Sequence, residues 1–428
     1  MRSLMVWLRD ATAALSMVLS AATVSERRSV WVTGAGVISA AGDGIEALGA
    51  ALREDRVCSV PSGSPLPVRA VAQVSVPIAT LPDFPDDRKA ALAMHALAGA
   101  LADAGNPELA GPRTGVFLGT GLSSITPREL AEDVYPHLRD GRFDRVSMAA
   151  DLRSDRVAPR RHLPERVTEA VAARIGATGP TGTSFSACAA AAQAMAAGMR
   201  AIRRGEIDRA IVGGHDSMIH PMGLLSFVVL GALSEEACRP FDQNRSGFMI
   251  GEGAALFVLE AADVAAQRGA RARAVLLGAG TSVDAWNVTA PHPDGAGAEQ
   301  AMRRALADAN LQPSDIGYIN AHGTGTPVGD VAEARAIWRV FGESVPVSSI
   351  KGAIGHTIAA AGAVEAAAAI VAMSGGWLPG TVGLRRQDPE CPIRALRAPC
   401  VQSVSAVLSN SFGFGGQNCS IILGSVER

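Results

Sequence analysis

Three short segments carry residues whose types and spacing could do chemistry together. The first is Thr183-Ser184-Phe185-Ser186-Ala187-Cys188-Ala189-Ala190-Ala191, where a cysteine stands at the start of an alanine-rich helix. Free N–H groups and the dipole at a helix N-terminus stabilise a thiolate. The position predicts iodoacetamide reactivity persisting well below pH ~8.5, the ordinary thiol value. A free cysteine is as often a small buried filler, and this segment alone leaves both readings open. The second segment is Asn320-Ala321-His322-Gly323-Thr324-Gly325-Thr326-Pro327-Val328-Gly329-Asp330, after an apolar run at 316–319. The third is Ser348-Ser349-Ile350-Lys351-Gly352-Ala353-Ile354-Gly355-His356. Histidines on glycine-bracketed loops at strand ends are placed to face a cleft.

Lysine arithmetic adds weight to the third segment. Of 39 basic residues only Lys89 and Lys351 are lysine. A lysine that persists against such a bias marks a position where a guanidinium fork does not serve.

The elements that must position these residues alternate. Strands are read at 30–33, 115–119, 210–214, 254–259, 274–277, 316–319, 405–408 and 419–423, and helices at 44–52, 86–104, 187–203, 296–309, 330–341 and 362–373. Continuous apolar strands alternating with helices indicate an α/β fold with buried sheets. The second half echoes the first in element order, so two similar halves pack as one body. Gly34-Ala35-Gly36 reads as a turn, and a dinucleotide-binding reading of it is weak because the third glycine position is Ser39. The stretch 122–165 is arginine-rich and irregular.

Composition sets limits. A net charge of −2 excludes a general nucleic-acid binder. Six cysteines without C-x-x-C spacing exclude a zinc ribbon or disulfide framework and suit a reducing, cytoplasmic compartment. Residues 1–28 read as a tail that is disordered or starts too early; a weak signal peptide is the other reading. No other segment approaches the ~18 consecutive apolar residues of a membrane span.

Taken together, the three segments resemble the β-ketoacyl-acyl-carrier-protein synthase family, elongating type, of the thiolase-like superfamily. The resemblance runs from about residue 29 to 428. The loop Asn410-Ser411-Phe412-Gly413-Phe414-Gly415-Gly416-Gln417-Asn418 resembles the family's gating loop, and Arg239-Pro240-Phe241-Asp242 and Gly251-Glu252-Gly253 match further family segments. It implies a thiolase-like fold of two αβαβα halves, 29–272 carrying Cys188 and 273–428 carrying His322 and His356.

It also implies the roles. Cys188 takes an acyl group from acyl-carrier protein, and the backbone N–H groups of Cys188 and Phe414 hold the oxyanion. His322 and His356 stabilise the enolate left when malonyl-carrier protein loses CO2, with Lys351 setting their electrostatics. Phe412, Gly413, Phe414, Gly415 and Gly416 gate the site, and Thr324 and Thr326 meet the phosphopantetheine arm. Glu365, Asp330 and Glu333 support the site, and Arg88 and Lys89 dock the carrier. Arg156, Arg160 and Arg161 are either further docking residues or a solvated charged face.

No metal and no separate cofactor is implied. The partner is acyl-carrier protein, with no nucleic acid and no membrane. The assembly is a homodimer, or a heterodimer with a chain-length partner. Departures at 122–165, Gly214-His215-Asp216-Ser217 and the shortened 233–238 favour a type II polyketide or polyene pathway over housekeeping fatty-acid synthesis. Two rivals remain: a non-catalytic chain-length partner, which Cys188 argues against, and a degradative thiolase using Cys419 as base.

Overall fold

The computed structural model describes residues 27–84, 87–121, 127–154, 156–157 and 163–426. Most of the expected tail, with Arg160 and Arg161, lies outside the described residues. The first run of elements is β1 (Val30–Ser39), α1 (Arg88–Asp103), β2 (Thr114–Thr120), α2 (Arg166–Ile175), β3 (Thr181–Ser184), α3 (Ala190–Arg203), β4 (Arg209–Ser217) and β5 (Glu252–Ala261). The second is β6 (Ala274–Val283), α4 (Ala296–Ala309), β7 (Tyr318–Asn320), α5 (Pro327–Phe341), β8 (Pro346–Ser348), α6 (Ala361–Gly375), β9 (Ala406–Gly413) and β10 (Gln417–Gly424).

The two runs build the same sheet twice. The first is ordered β3-β2-β4-β5-β1 and the second β8-β7-β9-β10-β6, and β1 and β6 join them edge to edge. In each, the strand that closes the run is antiparallel to its neighbours, while the other pairs are parallel. Each also carries a register bulge at the same place, between Val32 and Gly34 and between Leu276 and Gly278.

The expected turn at 34–36 is the middle of β1. Its two glycines let α1 lie directly on the strand. A Cβ on Gly36 would come 1.9 Å from the Ala96 carbonyl oxygen, and one on Gly34 2.3 Å from that of Ala100. Gly280 of β6 does the same under α4, 2.1 Å from the Ala301 oxygen. The Gly-x-Gly pair is a packing device, and the dinucleotide reading falls.

Helices α3 and α6 lie between the two sheets. Their alanines fit against glycines: a Cβ on Gly119 of β2 would meet Ala190 and Ala191 backbone at 2.4 Å, and one on Gly362 of α6 would meet Ala192. The stretch Ile358–Gly375 has a mean hydropathy of 1.7 over 18 residues, long and apolar enough for a membrane span, which the sequence reading did not single out. It is 83% buried inside the protein, as a core helix is. The irregular stretch resolves partly into helices Pro127–Asp133 and Arg145–Arg153 around a hairpin of Leu138–Arg139 and Arg142–Phe143. Asp144 caps the second helix, accepting from the Val146 and Ser147 N–H groups.

Candidate active site

The C-terminal ends of β3, β7, β8 and β9 converge on one cavity of about 290 Å³, lined among others by Cys188, His322, His356, Thr324, Thr326 and Phe414. After β3 the chain turns sharply through Ala187, whose φ of 47° is left-handed for a non-glycine residue. A single 3-10 turn, Ala187–Ala189, then holds Cys188 before α3 begins. His322 follows β7 by two residues, and Lys351 opens a four-residue helix after β8. His356 is pinned by its backbone: its N–H donates to Met249 (2.7 Å), and its carbonyl accepts from Gly251 (2.9 Å).

His356 Nε2 lies 3.0 Å from Cys188 Sγ. Its Nδ1 accepts the Ile358 N–H at 3.3 Å, so in the neutral ring the proton sits on Nε2. His322 crosses His356 edge to face at 5.3 Å between ring centroids. Lys351 Nζ lies 3.4 Å from His322 Nδ1 and also donates to the His322 carbonyl and to Glu365. An ammonium has only donors, so the His322 proton is likewise on Nε2. Burial, and then Lys351, holds both imidazoles well below their ordinary pKa. Two neutral rings thus present N–H donors to the cavity.

Cys188 departs from expectation. Burial pushes its thiol up to about 12, against the opposing pull of Lys351 and a hydrogen bond from the Phe414 N–H. The helix end does not outweigh loss of water around a buried sulfur. Position 413 stays close to the sulfur's own residue: a Cβ on Gly413 would stand 3.2 Å from the Cys188 nitrogen. The Phe414 N–H and the Cys188 nitrogen thus both stand next to the thiol.

Carboxylates organise the loops behind the rings. Glu333 accepts from the N–H groups of His322 (2.8 Å) and Gly323 (2.7 Å) and from Asn410 Nδ2 (3.1 Å). Asp330 accepts from Gly325 (3.0 Å) and Phe241 (2.7 Å), with Arg245 alongside. Burial raises Asp330 to about 6, Glu333 to about 7 and Glu365 to about 7. Thr324 and Thr326 bond each other at 2.9 Å on the cavity wall. Gly415 (φ 82°) and Gly416 (φ 71°) bend the chain after Phe414, with Phe412 on the cavity side.

Other positions stand elsewhere. Lys89, expected to dock a carrier at the surface, is 5% exposed. Arg88 is committed inward to the buried Glu252 and to the Val74 carbonyl. Lys89 is buried, while Arg88 keeps 39% of its side chain exposed with its guanidinium turned to Glu252. Cys419 lies at 0% exposure within β10 and does not line the cavity. Residues not read as functional include Asp284, which accepts from Asn418 Nδ2 at 2.7 Å and ties the wall at 284–292 to the loop at 413–416. Asp216, on the strand end noted only as unusual, accepts the Ala359 N–H beside His356.

Cys188, His322 and His356 have ligand atoms within 4.8 Å of one another, as a metal site requires. The surroundings do not suit one. A metal-bound histidine donates its other N–H to an acceptor, whereas both Nδ1 atoms here face donors. The arrangement suits hydrogen-bond donation to an oxygen in the cavity instead.

Comparison with known proteins agrees with this geometry. The model of the beta-ketoacyl synthase N-terminal domain matches residues 86–265, and that of the C-terminal domain residues 273–385. The 3-oxoacyl-[acyl-carrier-protein] synthase 2 of Staphylococcus aureus is 36% identical over 324 residues, 74% of this chain and 76% of the relative. The mitochondrial 3-oxoacyl-[acyl-carrier-protein] synthase of Arabidopsis thaliana is 38% identical over 331 residues, 73% of this chain and 69% of the relative. Among solved structures, the ishigamide ketosynthase/chain length factor superposes with a TM-score of 0.81 at 32% identity, covering 93% of this chain and 99% of that one. A type II polyketide ketosynthase, solved with its acyl-carrier protein and bound to a hexaketide, gives 0.82 at 27% identity, covering 94% and 100%.

Proposed function

The chain belongs to the beta-ketoacyl synthase family, and from that premise we propose that it is a 3-oxoacyl-[acyl-carrier-protein] synthase that extends an acyl chain on Cys188 by decarboxylative condensation with a malonyl thioester. The carrying observation is the arrangement of one sulfur with two neutral imidazoles whose protonated Nε2 atoms face the cavity.

Each residue's part follows from its contacts. Cys188 Sγ bonds to the acyl thioester carbon as its S–H proton passes to the carrier's sulfur, whose C–S bond breaks so that it leaves as a thiol. The tetrahedral oxyanion is met by the N–H groups of Cys188 and Phe414. A malonyl thioester then enters past Thr324 and Thr326. Its carboxylate leaves as CO2, and the electron pair moves onto the thioester oxygen as an enolate. His322 and His356 donate Nε2–H bonds to that oxygen without giving up their protons. The enolate carbon attacks the acyl-enzyme carbonyl, the C–S bond to Cys188 breaks with the electron pair staying on sulfur, the thiolate takes a proton from water, and a 3-oxoacyl thioester two carbons longer departs on the carrier. Lys351, held by Glu365, keeps His322 Nδ1 an acceptor, and Glu333 and Asp330 hold the loop that carries His322.

The presence of Cys188 at this site argues against a purely non-catalytic chain-length partner. The likeness to the ishigamide and type II polyketide ketosynthases, with the divergent stretch 122–165, supports a polyketide or polyene pathway. It also supports a dimeric assembly served by acyl-carrier protein. Intact-mass measurement after incubation with acyl-carrier protein tests the reaction. An acyl adduct on the unaltered protein, absent from Cys188→Ala, is expected; no adduct would sink the reading. Robust elongation of long saturated acyl chains would overturn the specialised pathway.

A further inference from the structure

The second half repeats the turn that presents the nucleophile. Ile358, with φ of 48°, corresponds to Ala187 at 47°, and Ala359 corresponds to Cys188. Each is followed by a 3-10 turn and an inner helix, Ala187–Ala189 before α3 and Ile358–Ala360 before α6. In the first half the turn's nitrogen, that of Cys188, lies beside Gly413 on the cavity wall. In the second half the equivalent N–H, that of Ala359, is filled by the carboxylate of Asp216 at 3.1 Å.

Asp216 is the penultimate residue of β4, is 0% exposed, and also accepts its neighbour Ser217's N–H at 2.9 Å. The space is cut for it: a Cβ on Gly121 would stand 2.0 Å from its Oδ2. One residue before Ala359, the Ile358 N–H donates to His356 Nδ1. The carboxylate therefore holds a left-handed turn, costly for a β-branched residue, in the conformation that fixes the His356 tautomer. We propose that Asp216 is a positioning residue for the condensation, holding the Ile358–Ala359 turn so that His356 keeps its proton on Nε2. The inference rests on the condensing-enzyme reading.

The test uses Asp216→Asn, which keeps the shape but replaces one of the two acceptor oxygens with a donor, so that the Ala359 and Ser217 N–H groups cannot both be met, and Gly121→Ala, which keeps the carboxylate but drives it off Ala359. Three quantities are read: acyl adduct on Cys188, condensation rate, and the ¹⁵N signals of labelled His356. Losing one preorganised donor to a developing oxyanion typically costs about a hundred- to a thousandfold. We expect condensation to fall by about that factor in both variants. Acylation of Cys188 should change by clearly less than condensation, since Asp216 reaches the sulfur only through its charge and through the His356 ring, whereas condensation needs the His356 Nε2–H itself. The His356 signals should lose the Nε2–H pattern.

An unchanged condensation rate, an unchanged His356 pattern, or equal losses of acylation and condensation would overturn the proposal. Should Asp216→Asn not fold, Gly121→Ala carries the same comparison. If the unaltered protein neither acylates nor condenses, the condensing reading fails, and the ¹⁵N comparison still decides what Asp216 does.

Discussion

Lys351 shows how much one side chain can be asked to do in a dry site. It is 1% exposed and its ammonium meets His322 Nδ1, the His322 carbonyl and Glu365 at once. A guanidinium is planar and wider, with its donors in a fixed fork. Lys351→Arg keeps the charge and should still lower condensation by at least ~100-fold, the lower end of a general acid–base contribution; near-normal turnover would show that only charge matters there. Cys188 makes the second residue-scale prediction. With its thiol raised to about 12 by burial, the thiolate fraction at pH 7 to 9 is small and grows tenfold per pH unit. Iodoacetamide labelling of the unaltered protein should therefore keep accelerating past pH ~8.5; a plateau below pH 8 would mean that the N–H donors prevail over burial. Residue types and glycine brackets made Cys188, His322, Lys351 and His356 legible in sequence. The sign of the Cys188 shift was not, because burial is a property of the packed cavity. Asp216 was not, because Ala359 lies 143 positions away.

At the scale of elements, the sequence shows helices better than short strands. The helix over 296–309 is read to the residue, because apolar positions recur at helical spacing. Strands β3 (Thr-Gly-Thr-Ser) and β8 have only four and three residues. Tertiary pairing, more than apolar content, makes them strands. The Gly34–Gly36 error has the same root: a glycine pair signals a turn unless a helix backbone lies across it. Gly36→Ala should lower stability by about 3 kcal/mol or more, since its Cβ would strike the backbone of α1. Gly280→Ala in the other half should match it. Gly63→Ala is the control, with open space around it and φ of 61°, and should cost about 1 kcal/mol for the left-handed backbone alone. Urea unfolding reads all three. Equal losses at positions 36 and 63 would remove the packing argument.

The whole molecule is one sheet-and-helix unit written twice, with the two inner helices between the copies and the reactive groups drawn from both. That duplication explains why neither half holds a complete site: Cys188 comes from the first, His322, Lys351 and His356 from the second, and Asp216 reaches from the first to the second. It also leaves a sheet edge. One end of the order is the two-residue strand Arg394–Ala395, too short to recruit a neighbour, and the other is β3. Strand β3 has Thr181 exposed, is followed directly by Phe185 at 45% exposure, and borders a cavity of about 570 Å³ that includes Gln193 and Arg200 of α3. An unpaired, charge-free edge next to an exposed aromatic ring invites a second strand. Two copies related by a twofold axis could join their β3 edges antiparallel and bury the same patch on each. Light scattering on the unaltered protein should then give twice the mass of one chain. Thr181→Glu with Phe185→Glu places like charges at both ends of the edge, so that they oppose each other across the antiparallel pair, and removes the ring; it should shift the mass toward a single chain at micromolar concentration. Because Cys188 follows Phe185 by only three residues, loosening the edge should also slow acylation of the thiol. A single-chain mass for the unaltered protein would overturn the pairing of two β3 edges.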